Sequence, residues 1–158
     1  MGDRTPFVPD GFIPPDVLED PFFRVRPLGP EHNESDYAAW TGSMDHIRRT
    51  PGFTDGDWPR PMTIEENRGD LERHARDFAA REGFTYTVLA PASDEVIGCV
   101  YIYPARQGGG ARVSSWVREQ DADLDEPLYR AVADWLARDW PFERIAYDAR
   151  EPELSPDA

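Results

Sequence analysis

The fold is decided by the stretch Asp94-Glu95-Val96-Ile97-Gly98-Cys99-Val100-Tyr101-Ile102-Tyr103. From Val96 to Tyr103 it is an unbroken apolar run, which is typical of a central strand covered on both faces. Working outward, residues 91–94 supply a turn, and residues 84–89 alternate as a half-buried strand ahead of it. Residues 112–118 form a further strand after a glycine-rich connection. The middle of the chain therefore predicts three consecutive antiparallel strands.

Two helices are predicted ahead of these strands. Asn33 can cap a helix, and the apolar residues that follow are spaced by three and four, so residues 34–49 are predicted as one helix. Thr63 and Glu66 form a capping box that begins a second helix, and Gly83 stands where a left-handed residue would end it. The predicted buried stripes are Tyr37, Trp40, Met44 and Ile47 on the first helix, and Ile64, Leu71, Ala75 and Phe78 on the second.

The remaining elements complete the order. Residues 23–28 form a short first strand, Pro127 lies near the start of a third helix, and residues 145–147 form a last strand. The order β-α-α-β-β-β-α-β predicts an α/β (α+β) fold with a mixed, mostly antiparallel central sheet flanked by helices.

A single domain is expected from the length of 158 residues. Residues 1–22 are proline-rich with interleaved aromatics, which predicts an arm that packs on a domain spanning 23–150, and residues 151–158 predict a frayed tail. Cys99 is the only cysteine and lies in the apolar run, so a buried thiol in a reducing compartment is expected. Because the chain shows neither an apolar membrane span nor a signal-peptide core, we expect a cytoplasmic protein.

The net charge limits the classes of partner. The chain has 31 acidic and 17 basic residues, for a net charge of −14. A field of that sign repels nucleic acid and anionic membrane surfaces, so neither is an expected partner. The negative charge would favour a small amine or a basic peptide as a partner. Alternatively, the charge serves solubility alone.

The element order resembles the GNAT superfamily of N-acetyltransferases over residues 23–149. Residues 94–102 are similar to the family's third strand, in which a turn precedes an x-x-Ile-Gly segment. The resemblance implies that acetyl-coenzyme A lies between two splayed strands and acylates an amine. Carried onto this chain, it implies that Trp116, Val117 and Arg118 hold the pantetheine arm of the cofactor.

The segment that should hold the cofactor's pyrophosphate departs from the family's pattern. The family has Arg/Gln-x-x-Gly-x-Gly/Ala at a helix N-terminus, where free amides and the positive end of the helix hold an anion. Residues 119–127 instead read Glu-Gln-Asp-Ala-Asp-Leu-Asp-Glu-Pro. Asp123 and Asp125 stand about where glycines belong, and Pro127 lacks an amide donor. Acetyl-coenzyme A is therefore expected to bind weakly, in a different pose, or not at all.

Candidate site residues follow from the resemblance. Glu119 would be the base that accepts the ammonium proton, or it is a surface acid. Tyr147 would protonate the departing thiolate, or it is a core tyrosine. Trp40, His46 and Trp58 would line the acceptor cleft, or they serve packing.

Two acidic patterns partly match known metal sites. Asp121-x-Asp123-x-Asp125 lacks the glycine and the final glutamate of a calcium loop. Glu66, Asp70 and His74 form a row on one face of a helix that could hold a divalent metal, or they belong to an exposed face. No metal site is expected.

Two classes of function remain open at this point. One is a GNAT-like enzyme that acylates an unidentified amine with acetyl-coenzyme A. The other is a non-catalytic binding or assembly protein that keeps the fold and has lost the cofactor. In the second class, an uncapped sheet edge would invite a homodimer.

Overall fold

The computed structural model describes residues 6–105 and 110–150. The strands in these ranges are β1 (Leu18–Asp20), β2 (Phe23–Pro27), β3 (Phe84–Leu89), β4 (Val96–Pro104), β5 (Ala111–Val117) and β6 (Ile145–Tyr147). The helices are α1 (Asn33–Thr41), α2 (Met44–Arg48), α3 (Ile64–Ala79) and α4 (Asp125–Asp139), with 3₁₀ turns at Pro30–His32 and Glu119–Leu124. None of these helices is long and apolar enough to cross a bilayer. The tail predicted at 151–158 lies outside the described residues.

The six strands form one sheet in chain order, from β1 to β6. Neighbouring strands are antiparallel except for β5 and β6, which run parallel. Parallel neighbours need a crossover connection, and α4 provides it. The predicted mixed, mostly antiparallel sheet flanked by helices is confirmed.

The sheet gains one strand that the sequence does not predict. β1 lies inside the proline-rich segment and pairs with β2. Its three residues are too few to show a period. The arm ahead of it packs on the domain: the ring centroid of Phe7 lies 5.0 Å from that of Phe142, and the centroid of Phe12 lies 5.1 Å from that of Trp140.

Two apolar cores lie on opposite faces of the sheet. One is formed with α4 and the N-terminal arm, and the other with α1, α2 and α3. Because both faces are covered, all six residues of β3 are buried. The prediction of a half-buried strand at 84–89 is therefore wrong, although its position is right.

The helix predicted at 34–49 is two helices. α1 ends at Thr41, α2 begins at Met44, and Gly42 and Ser43 lie between them. Glycine weakens a helix, and the Ser43 hydroxyl accepts a hydrogen bond from the main-chain N–H of Glu119 at 2.9 Å. The hydrogen bond from Glu119 stabilises the interruption between α1 and α2. Because Glu119 is distant in sequence, the apolar period of residues 34–49 cannot reveal this partner.

Gly83 does not have the predicted role of a left-handed cap. The left-handed residue after α3 is Arg81, with φ 63°. A Cβ on Gly83 would overlap the ring of Tyr103. Glycine at this position therefore makes room for the Tyr103 ring, which belongs to the candidate site described next.

Candidate functional site

β5 borders two features that concern function. A cavity of about 400 Å³ opens beside it on the face that carries α1 and α3. Toward β6, and within the part of the chain that the structure describes, β5 is paired only at Ala111, Arg112 and Val113, with Ile145–Tyr147. Beyond Val113 the two strands leave a gap, which is where the GNAT resemblance implies acyl-coenzyme A.

The main-chain groups of Ser115 and Val117 face this gap. The N–H of Ala111 donates to the carbonyl of Arg144 on the β6 side at 2.9 Å, and that of Arg118 donates toward β4 at 2.9 Å. Because the direction of these groups alternates along a strand, the odd-numbered residues of β5 point toward β6. Ser115 and Val117 thus carry the main-chain groups that a pantetheine arm would need.

The Arg150 side chain fills the gap. One guanidinium nitrogen donates to the Ser115 carbonyl at 2.6 Å, and Nε donates to the Asp125 carboxylate at 2.6 Å. A third nitrogen donates to the carbonyl of Asp148 at 2.9 Å. The side chain is only 5% exposed. We call the set of Arg150, Asp125 and Ser115 the Arg150 clasp.

Two tyrosines enclose the clasp. The guanidinium carbon of Arg150 lies 5.8 Å from the ring centroid of Tyr129 and 5.9 Å from that of Tyr147, within the range of cation–π attraction. The Tyr147 hydroxyl lies 2.6 Å from Oγ of Ser115. Burial raises the pKa of Tyr147 above its usual range, so the hydroxyl stays protonated. Tyr147 therefore lines the gap as an uncharged side chain.

The loop ahead of α4 holds no free cation for a phosphate. Arg118 is paired twice, with its Nε 2.7 Å from Asp121 and a terminal nitrogen 2.8 Å from Glu95. The first turn of α4 carries Asp125 and Glu126, whose negative charges already complement the helix dipole. An arriving anion would meet like charge at this helix end.

These residues do not fit acyl-coenzyme A in the pose implied by the resemblance. The Ser115 carbonyl that would pair with the pantetheine arm is taken by Arg150. The helix N-terminus that would hold the pyrophosphate carries carboxylates, and Arg118 is committed to protein partners. The geometry and the loop sequence agree on this point.

The cavity on the other side of β5 has an aromatic wall formed by Phe53, Trp58 and Tyr101. The ring centroid of Trp58 lies 5.2 Å from that of Trp40 and 6.1 Å from that of Trp116, so both rings support it from behind. A volume of about 400 Å³ is in the range of sites that take small organic molecules.

Asp36 brings a buried carboxylate to this cavity. It is 4% exposed, and its Oδ2 accepts a hydrogen bond from the Asn67 amide at 3.0 Å. Burial raises the pKa of Asp36 to about 6; the hydrogen bond from Asn67 acts to lower this pKa, and the charge of nearby Asp70 acts to raise it. Among the described residues, no group donates to its Oδ1. Above pH 6 the cavity therefore contains a carboxylate oxygen without a protein partner.

His74 brings a neutral imidazole to the same cavity. Its Nδ1 lies 2.8 Å from the Tyr103 hydroxyl, which donates its single hydrogen to Asp77 at 2.8 Å. The tautomer with the proton on Nδ1 lets His74 donate to the Tyr103 oxygen, and in that tautomer Nε2 presents a lone pair. Nε2 has no hydrogen-bond partner in residues 6–105 and 110–150. Burial lowers the pKa of His74 to about 4, with nearby Arg73 adding to the effect.

The structure brings only part of the predicted site together. Trp58 lines the cavity and Trp40 packs behind it, whereas His46 lies on α2 outside the lining. Glu119 is exposed and does not line the cavity. Tyr147 lies in the gap against the clasp. The catalytic roles of Glu119 and Tyr147 stay predictions.

The side chains of the acidic row on α3 have other partners. No group of three or more His, Cys, Asp or Glu side chains is placed to hold a metal ion in the described part of the chain. Glu66 closes the capping box with Thr63 at 2.8 Å, and Asp70 lies 3.5 Å from Arg73. His74 is directed to Tyr103 and the cavity instead of an exposed face.

No family model matches the sequence, and a search of curated proteins finds no match. Solved structures do match the fold. The ribosomal-protein-S5-alanine acetyltransferase from Vibrio fischeri is 15% identical with a TM-score of 0.65, and the match covers 83% of this chain and 72% of that one. RimL, a ribosomal L7/L12 alpha-N-protein acetyltransferase, is 14% identical with a TM-score of 0.65, covering 87% and 76%.

Two further matches name the fold and a cofactor. A GCN5-related N-acetyltransferase from Brucella melitensis is 16% identical with a TM-score of 0.60, covering 84% of this chain and 59% of that one. A RimL structure in complex with coenzyme A is 11% identical with a TM-score of 0.63, covering 83% and 73%. At these identities the likeness concerns the fold: this chain has the GNAT fold.

Proposed function

We propose that this protein is a non-catalytic, ligand-binding member of the GNAT fold that does not use acyl-coenzyme A. The observation that carries the proposal is the Arg150 clasp in the gap between β5 and β6. The ligand site is the cavity lined by Trp58, Asp36 and His74.

The clasp is strong enough to matter for cofactor affinity. Removing one partner of a buried ion pair typically costs about 3–5 kcal/mol. A cofactor that had to separate Arg150 from Asp125 would lose a comparable amount, which is roughly a 100- to 4,000-fold weakening at about 1.4 kcal/mol per factor of ten. By the same arithmetic, a dissociation constant of about 1 μM would rise to about 0.1–4 mM.

The acidic loop acts in the same direction. Glu119, Asp121 and Asp123 lie in the 3₁₀ turn ahead of α4, and Asp125 begins the helix. Asp121 and Asp125 are already paired with Arg118 and Arg150, so a pyrophosphate in that position would be repelled mainly by Glu119 and Asp123, by about 1 kcal/mol for each close pair. The clasp and the loop therefore both oppose the family's binding mode.

Acyl transfer to an amine is the second candidate. It is favoured by the acetyltransferases among the solved structures of the same fold, one of them in complex with coenzyme A. The cavity also extends to Ser114, next to the gap, so a ligand there would lie near the place of an acyl donor. In this case the clasp would have to open during the reaction.

A turnover assay separates the two candidates. Purified protein is incubated with acetyl-coenzyme A and a panel of primary amines, and free thiol release is followed by a colorimetric reagent. The proposal predicts a rate equal to the protein-free control for every amine. Thiol release that depends on both protein and amine would overturn the proposal in favour of acyl transfer.

A matched pair of variants makes the result specific to the clasp. Arg150→Ala opens the gap, whereas Arg68→Ala removes a surface arginine whose pair with Glu72 is half exposed. If the clasp excludes the cofactor, only Arg150→Ala gains measurable affinity for acetyl-coenzyme A. An equal affinity in both variants would remove the clasp as the explanation.

A further inference from the structure

The outer edge of β1 lies apart from the cavity and from the gap. β1 is at one end of the sheet and β6 is at the other, so an inference about β1 goes beyond the proposed function and does not depend on it. We propose that the β1 edge docks an extended segment of another protein, in which apolar residues alternate with lysine or arginine. The segment adds a strand to the sheet beside Glu19.

The main-chain groups of Glu19 are open to such a strand. The N–H of Leu28, just after β2, donates to the Thr85 carbonyl on β3 at 3.0 Å. Because the direction of these groups alternates along a strand, the odd-numbered residues of β2 bond to β1, and they lie opposite Leu18 and Asp20. The N–H and the carbonyl of Glu19 are therefore directed away from β2. On that side the sheet has no further strand among the described residues.

Exposed apolar side chains are grouped around this edge. In the part of the chain that the structure describes, the exposed large hydrophobic side chains are Ile13 at 83%, Val17 at 39% and Phe22 at 62%. All of them lie in the segment 13–22, which contains β1. Single exposed apolar residues are common on protein surfaces, but a group beside an unpaired strand is typical of an interaction site.

The charge of the edge is negative. Asp16, Glu19 and Asp20 form no ion pair within residues 6–105 and 110–150. Arg24 lies opposite Glu19 on β2, but it is directed to the turn after β3, where it pairs with Asp94 at 3.2 Å. Unpaired carboxylates along an edge favour a neighbouring strand that carries lysine or arginine.

A groove extends the edge on the side of the sheet that carries α1. It has a volume of about 650 Å³, and Asp16 and Glu31 are among its lining residues. Like Asp16, Glu31 has no ion pair in the described ranges. Arg26 lines the groove as well, but it is exposed and lies beyond the residues that pair with β1. A long basic side chain of the docked segment would enter the groove beside Asp16 and keep its charged end in contact with water.

A second copy of the chain fits this edge poorly. Two β1 strands side by side would bring Glu19 and Asp20 of one copy against the same carboxylates of the other, and like charges opposite each other in a sheet are unfavourable. Each chain also has a net charge of −14. Short length and charge protect an edge against pairing with its own kind, but the exposed Val17 and Phe22 do not contribute to such protection. The partner is therefore a basic segment of different sequence.

Fluorescence anisotropy of labelled peptides, titrated with the full chain at pH 7.5 and low salt, tests the docking. The probe is a capped peptide of alternating lysine and valine. One comparison peptide has the same composition with the valines and the lysines in separate blocks, and the other has glutamate in place of lysine. The alternating peptide is expected to bind at least tenfold more tightly than both. No binding of the alternating peptide at millimolar concentration, or equal binding of the block peptide, would overturn the inference.

Hydrogen exchange shows whether the bound peptide pairs with the strand. The amide of Glu19 should exchange rapidly in the free protein and at least tenfold more slowly in the complex with the alternating peptide. The amide of Gly56, in the exposed loop between α2 and α3, should not change. Peptide binding without protection of the Glu19 amide would mean association by charge alone and would overturn the inference.

Matched variants connect the binding to the edge. Glu19→Lys reverses one charge beside the docked segment, so binding of the alternating peptide should weaken at least tenfold. Asp134→Lys makes the same change in net charge on the exposed side of α4 and should leave binding within twofold of the wild type. Val17→Ser removes an apolar contact and should weaken binding about threefold or more. Equal effects of the two lysine variants would overturn the placement of the segment.

Sedimentation of the wild type decides against or for a second copy at this edge. The inference predicts that the Glu19 amide exchanges rapidly at every protein concentration, because the edge stays open without a basic partner. A dimer in which the Glu19 amide is protected without any peptide would assign the edge to a second copy and overturn the inference.

Discussion

Replacing Asp36 by asparagine should stabilise the protein above pH 6. The pKa of Asp36 is about 6 in the folded chain against an ordinary value of 3.8. At 1.36 kcal/mol per pKa unit, this difference corresponds to about 3 kcal/mol lost when the buried carboxyl ionises. Asparagine has a similar shape, can still accept from the Asn67 amide through its oxygen, and does not ionise.

The pH dependence of this effect has a definite sign. A carboxyl whose pKa is raised on folding favours the folded state while it is protonated, and that stability is lost as the pH rises from about 4 to 6. Asp36→Asn should therefore match the wild type near pH 4 and exceed it by up to about 3 kcal/mol at pH 7.5. In a chain of this size the melting temperature would rise by roughly 6–12 °C.

Urea denaturation at pH 4.5, 6 and 7.5 measures the effect as the difference in the free energy of unfolding. Glu34→Gln is the control, because Glu34 is exposed on the same helix and its substitution should change stability by less than about 0.5 kcal/mol. An Asp36→Asn protein that is less stable than the wild type at pH 7.5 would refute the reasoning. A gain of equal size at every pH would refute it as well.

Three further substitutions give distinct results. His74→Gln should make the free energy of unfolding less dependent on pH below pH 6.5. Burial lowers the pKa of His74 from 6.5 to about 4, so the wild type loses up to about 3 kcal/mol of stability as the pH falls from 6.5 to 4. Identical urea curves for the two proteins from pH 7 to 4 would contradict this. Arg150→Ala should lower the free energy of unfolding by about 3–5 kcal/mol. The double variant Arg150→Ala/Asp125→Ala should lose less than the sum of the two single variants, because neither charge is then left unpaired. Additive losses would contradict the clasp. Gly83→Ala should displace the Tyr103 ring and lower the free energy of unfolding by about 1–3 kcal/mol, because the added Cβ would overlap that ring; an alanine variant as stable as the wild type in urea denaturation would mean that the ring moves aside freely.

The sheet is predictable from the sequence because its signals are local. The apolar run Val96–Tyr103 and the alternation at 84–89 place β4 and β3, and the apolar stripe after Pro127 places α4. The departure from the family's phosphate loop can also be recognised, since it needs only the order of residues 119–127. These features depend on near neighbours in the chain.

The candidate site is less predictable because it depends on distant partners. Arg150 follows the last strand by three residues and resembles the start of a tail, yet it pairs with Asp125 and Ser115 across the gap. Asp36 belongs to the polar stretch Asn33-Glu34-Ser35-Asp36 at the start of α1, which is typical of a helix surface, but its partner Asn67 lies on another helix. His74 belongs to an i, i+4 row with Asp70, and nothing in that spacing indicates Tyr103.

The most direct measurement for the central claim is a calorimetric titration of the wild-type protein with acetyl-coenzyme A. The account predicts no binding below about 0.1 mM, because the Arg150–Asp125 pair would have to separate before the pantetheine arm could reach Ser115. Micromolar binding by the wild type would contradict the account, and it would return acyl transfer to first place among the functions of this fold.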